Sequence, residues 1–156
     1  MSVEARLRRL GIELPNVTPA VANYLPYQWS GNQLFLSGHG PIRGGAVTSR
    51  GKLGRDLTVD EGYAIAREVG LNLLGTTRAA LGTLDRVERV VKAIGMINSA
   101  EGFTEQPRVM NGFSDLMVEV FGEAGRHARS AFGAAELPFG IPVEIEAIFE
   151  VKGATR

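Results

Sequence analysis

Near the end of the chain, Val143, Ile145, Ala147, Phe149 and Val151 alternate with Glu144, Glu146, Ile148 and Glu150. This period of two predicts a strand over about 142–152 with one face toward a core. A second apolar run at about 128–134 precedes it, and the Pro138–Gly140 stretch between them reads as the turn of a hairpin. Helical spacing occurs twice. Thr58 and Glu61 form a T-x-x-E capping box, after which Ile65, Val69, Leu73 and Ala80 line one side of a helix running to about Leu81. Pro107 opens the other: Val109, Met110, Phe113, Leu116, Met117, Val120 and Phe121 form a broad apolar stripe, with Gly122 at the stop.

Residues 86–99 are rich in β-branched side chains and partly apolar on both faces, as in a central strand. Residues 27–38 read as two short strands around Gly31 and Asn32, and 40–54 as a Gly-rich loop with a third strand near 46–49. Val3, Leu7 and Leu10 predict a short amphipathic helix ended by Gly11 and Pro15, a helical extension over 1–15. The order β-β-(β)-α-β-α-β-β predicts an α+β fold in which two helices pack on one face of a mostly antiparallel sheet. On the other face Trp29, Phe35, Ile148 and half of strand 86–99 offer more apolar surface than one chain covers, so an oligomer is expected.

A length of 156 residues with 44% hydrophobic content suits a single domain over 1–156. No repeat, low-complexity stretch or linker interrupts it. Lys+Arg and Asp+Glu both number 17, which gives no global field for nucleic acid or anionic lipid. Cysteine is absent, which removes thiolate chemistry and disulfides, and His39 and His127 lack metal-binding spacing; no metal site is expected. The first residues lack the apolar core of a signal peptide and no segment approaches 18 apolar residues, so a soluble cytoplasmic protein without membrane attachment is expected.

Two glycine-rich stretches fail as phosphate loops. In "SGHGPIRGG" the third glycine, Gly44, is misplaced for a dinucleotide fingerprint and Pro41 intervenes; in "GAVTSRGKL" Leu53 stands where a P-loop needs Ser or Thr. Ser37 with His39 as base lacks a third orienting group. Arg129 and Glu144 are different. A guanidinium at a strand end suits a carboxylate ligand, and a carboxyl on a neighbouring strand can position water or shuttle a proton. An ion pair of Arg129 with Glu144 or Glu146 across the hairpin, with no chemistry, explains the same pattern.

The run "ARSAFGAAELPFGIPVEIEAIFEV" resembles the C-terminal signature of the reactive-intermediate deaminase superfamily, the RidA/YjgF group. The likeness extends to "LFLSGHGP", to Asn111 in "VMNG" and to Tyr24, covering residues 20–152. It implies a chorismate-mutase-like fold assembled as a homotrimer with clefts between subunits. The implied activity is hydrolysis of enamine and imine intermediates, of the 2-aminoacrylate type, to a 2-keto acid and ammonia without a cofactor. By this resemblance Arg129 grips the substrate carboxylate and Glu144 manages water and a proton. Tyr24, Ser37, Gly38 and Asn111 line the pocket, with Ala131, where archetypal members often have cysteine, contributing backbone. His127 in place of the usual proline, the N-terminal helix and the "SRGKLG" insertion place the chain in a longer branch. A non-catalytic binder of small carboxylic acids and an endoribonuclease or translation inhibitor, the latter through a patch of Arg43, Arg50, Lys52 and Arg55, are the rival readings.

Overall fold

A computed structural model of the protein describes residues 1–16 and 22–153. Its elements are α1 (Val3–Leu10), β1 (Tyr27–Ser30), β2 (Gln33–His39), β3 (Ile42–Arg43), β4 (Ala46–Val47), α2 (Val59–Leu81), β5 (Val87–Asn98), α3 (Gln106–Phe121), β6 (Ala128–Ala134) and β7 (Val143–Val151). Five strands form one sheet in the order β1-β2-β7-β5-β6, and β3 and β4 form a separate two-residue hairpin in place of the predicted third strand. The chain is α+β, with the mostly antiparallel sheet expected of it and one parallel pair, β5 with β6.

Local chemistry accounts for the helices. Thr58 accepts from the Glu61 backbone while the Glu61 carboxylate returns to the Thr58 backbone, the full capping box, and Gly82 ends α2 in a left-handed conformation. On α1 the Ser2 side chain caps the start and Gly11 the end, and Leu7 is driven into the core. Helices α2 and α3 pack closely because glycine stands at their crossing: a Cβ on Gly112 would run into the Tyr63 carbonyl of α2. Between the helix pair and the sheet, Phe113, Phe149, Leu73, Met117 and Ile145 are completely buried. Each such side chain contributes about 1.5–3 kcal/mol.

Two expectations are corrected. Strands β6 and β7 are not a hairpin: β5 lies between them, parallel to β6 and antiparallel to β7. Their connection, 135–142, passes over the end of β5, where Asn98 donates from its side chain to Ile141 O at 3.1 Å and from its backbone to Pro142 O at 2.9 Å. Lys52 secures the same crossover through Asn98 Oδ1 (2.8 Å), Ala135 O and the Glu136 carboxylate (3.2 Å). Secondly, Trp29 pairs in register with Leu34 and packs against the core on the helix side. The face away from the helices carries Phe35 (38% exposed) and Phe132 (48% exposed), with Ile94, Met96 and Ile148 half-buried between them.

Candidate functional site

Four of the predicted residues converge on one cavity of about 300 Å³. Tyr24, Ser37, Gly38 and Glu144 line it together with His39 and Phe139. An irregularity in β2 creates this wall: Leu36 pairs with Ala147 but His39 with Ile145, so three steps on β2 match two on β7. Such a bulge re-aims side chains. Here it sets Gly38 flat against Glu144, where a Cβ would overlap Oε1 and sit 3.0 Å from Cδ, leaving glycine the residue that fits without moving the carboxylate.

Glu144 forms no salt bridge and no hydrogen bond with the described residues. Burial pushes its carboxyl above the ordinary value, and repulsion from Glu146 on the same face of β7 adds to the effect. Ser37 donates its hydroxyl to Leu25 O at 2.5 Å, so it is a structural tie. His39 turns toward α2. Its Nδ1 lies 2.7 Å from Ser37 O and must carry the proton, so Nε2 accepts from Thr76 Oγ1 at 2.8 Å; burial holds the ring's pKa down and keeps it neutral. At the mouth, Tyr24 is 50% and Phe139 66% exposed. Phe139 adopts a left-handed φ of 59°, held by Arg50 Nε donating to its carbonyl at 3.1 Å.

The other three residues stand elsewhere. Arg129 points to the helix side of β6, where Nη1 donates to Ser114 Oγ at 3.0 Å and Nη2 to Pro107 O at 3.2 Å. Asn111 falls between these two contacts on the same stripe of α3, and Ala131 follows Arg129 on the same side of β6, half-buried. The expected Arg129–Glu144 adjacency is therefore corrected. Arg129 pairs with Ala93 of β5 and Glu144 with Met96, on opposite faces of the sheet. They are two strand spacings apart, about 10 Å, and three residues apart along the strand, about another 10 Å. An ion pair between them within the chain is ruled out. Arg129 has no carboxylate partner among the described residues.

Sequence reasoning missed Phe139, His39 with Thr76, and Ser114. Ser114 alone left a trace: it is the polar break in the apolar stripe of α3, seven residues beyond Pro107. A larger cavity of about 640 Å³ beside Glu13, Arg43 and Glu68 gathers no comparable chemistry, since Arg43 and Glu68 pair with each other at 3.7 Å. No described helix is long and apolar enough to cross a membrane.

Residues 4–145 match the family described as "YjgF/chorismate_mutase-like, putative endoribonuclease". The protein TCP17 of Trypanosoma cruzi is 51% identical over 152 residues, covering 96% of this chain and 94% of that protein. Among solved structures, one named as a putative endoribonuclease from Shewanella oneidensis superposes with a TM-score of 0.93 at 37% identity, over 97% of this chain and 100% of its own. Atu1372 from Agrobacterium tumefaciens, a protein of unknown function, superposes at 0.87 with 42% identity, over 96% and 92%. The chain belongs to the YjgF/RidA family, in the chorismate-mutase-like fold.

Proposed function

We propose that the protein hydrolyses imines and enamines of 2-amino acids to 2-keto acids and ammonia, in clefts between subunits of a homotrimer. One observation carries the reading: the cation and the carboxyl singled out by the sequence are both left unneutralised by the described residues. Glu144 meets no cation and Arg129 no carboxylate. Since one chain holds them on opposite faces, a shared site needs Glu144 of one copy and Arg129 of the next. The uncovered face bearing Phe35 and Phe132 supplies apolar surface for that association.

The chemistry is simple. An enamine is protonated at carbon to give the iminium; water adds to the iminium carbon as a base takes a water proton; the amino group of the resulting carbinolamine is then protonated and leaves as ammonia while the hydroxyl gives up its proton to become the keto oxygen. Arg129 orients the substrate through its carboxylate, and Glu144, whose pKa burial raises above the ordinary value, exchanges protons with water and the leaving nitrogen. Tyr24 and Phe139 at the mouth favour an apolar substrate side chain. No step calls for a cofactor. Cytoplasmic residence would place the enzyme beside the reactions that release such intermediates.

The endoribonuclease reading is supported by the relatives' names and weakened by charge. Of the basic residues proposed for RNA, Arg43 pairs with Glu68, Lys52 with Glu136 and Arg55 with Asp56, while Arg50 donates to Phe139 O. The test is ammonia release from imino acids generated in situ by an amino acid oxidase across a panel of amino acids. Wild type should exceed the spontaneous rate, and Arg129→Ala should lose the gain with the trimer intact by light scattering. A wild type that adds nothing across the panel, yet binds 2-keto acids, would establish the non-catalytic binder instead; salt-dependent RNA binding with cleavage would establish the nuclease.

A further inference from the structure

Arg129 is held by a chain of hydrogen bonds whose direction is fixed at its far end. His127 Nδ1 lies 2.7 Å from Gly125 O, and a carbonyl only accepts, so Nδ1 carries the proton. In the neutral ring Nε2 is then an acceptor, 3.0 Å from Ser114 Oγ, and the hydroxyl proton goes to it. A Ser114 lone pair is thereby presented to Arg129 Nη1 at 3.0 Å. The imidazole is itself immobilised, its edge or face set against Phe113 at 5.4 Å and 74° between planes. Burial, and secondarily the nearby guanidinium, lower the His127 pKa and keep this polarity.

We propose that His127, acting through Ser114, is a positioning residue that fixes the Arg129 guanidinium for a carboxylate ligand. The inference rests on the reading of Arg129 as the carboxylate clamp and deepens it. The chain occupies two of the five guanidinium N–H groups, counting Nη2 to Pro107 O, and leaves three for a guest. Arginine's long side chain has many rotamers to lose. A fork ordered before the ligand arrives gives up fewer of them on binding. His127 stands where the related signature has proline, a residue with no side-chain group to accept the Ser114 proton.

Two measurements on the full-length protein separate this inference from the function it rests on. The first needs no ligand: 15N NMR should show His127 protonated at Nδ1 and a slowly exchanging Arg129 Nη1–H that becomes fast in His127→Leu and in Ser114→Ala. The second is titration with pyruvate and methyl pyruvate. His127→Leu should weaken pyruvate binding about 3- to 10-fold, the scale of one net hydrogen bond. It should leave methyl pyruvate unchanged, His127→Gln should restore most of the loss, and His127→Leu should add nothing in an Arg129→Ala background. Unaltered Arg129 exchange in His127→Leu, equal losses for acid and ester, or full additivity with Arg129→Ala would overturn the positioning role. Ordered Arg129 signals in a wild type that binds no 2-keto acid would leave the relay standing and remove the clamp reading.

Discussion

Replacing Gly38 with alanine isolates the role of the Glu144 carboxyl. Gly38 does not use a left-handed backbone, so alanine is tolerated there conformationally, and the three nearest atoms to its methyl, Oε1, Cδ at 3.0 Å and Cγ at 3.2 Å, all belong to Glu144. Relief comes by swinging the far end of one flexible side chain, which moves the oxygen by about 1 Å to reach ordinary contact. An altered rotamer costs about 0.5–1.5 kcal/mol. Because 1 kcal/mol corresponds to about 2–4 °C in a domain of this size, the melting temperature should fall by only a few degrees. Catalysis should suffer far more, since a misplacement of about 1 Å lowers a rate by about 100-fold. Imine hydrolysis followed by ammonia release, alongside thermal unfolding by circular dichroism, measures both effects. Adding Gly38→Ala to Glu144→Gln should give no further loss in rate. Full activity in Gly38→Ala, or an equal additional loss in the Glu144→Gln background, would refute the assignment of Glu144 to proton transfer.

The pH dependence follows from the same carboxyl. The limb of kcat/KM governed by Glu144 should titrate above the ordinary 4.5, and Glu146→Gln should move it down by removing the second cause of the shift. For folding, the native state holds this proton more tightly than the unfolded chain, so stability is greatest below the unfolded value and falls as pH rises through the native one. Glu144→Gln should flatten that segment of a plot of denaturant midpoint against pH. In the scaffold, Gly112→Ala sets a methyl against the backbone of α2 at Tyr63 and Arg67, atoms that cannot swing aside. It should cost about 3 kcal/mol, or about 6–12 °C in thermal unfolding; a change under about 2 °C would show that the helices part easily.

The local elements were legible because their signals are local. The Thr58–Glu61 box, the Gly122 stop and the alternation of Val143 to Val151 each depend on a few neighbouring residues, and each forms as expected. Which strands pair depends on distant ones. Pro138–Gly140 reads as a hairpin turn by composition, yet the chain there steps over β5, guided by Asn98 and Lys52 from elsewhere in sequence. The face of Trp29 is not legible because a four-residue strand offers too little alternation to fix its orientation before its register with Leu34 is known. Within the site, a family signature kept Arg129 and Glu144 close in sequence, and only the strand order reveals that they face opposite ways.

The central place of β7 also bears on how the chain is made. Without β7, β1 and β2 would form one fragment of sheet and β5 and β6 another, with no backbone hydrogen bonds between them. The inner edges of β2 and β5 are then open, which invites pairing with other chains. Loss of the final strand therefore leaves two sticky halves rather than a slightly shortened protein, and chaperone dependence in cells should be highest for variants that delay its insertion.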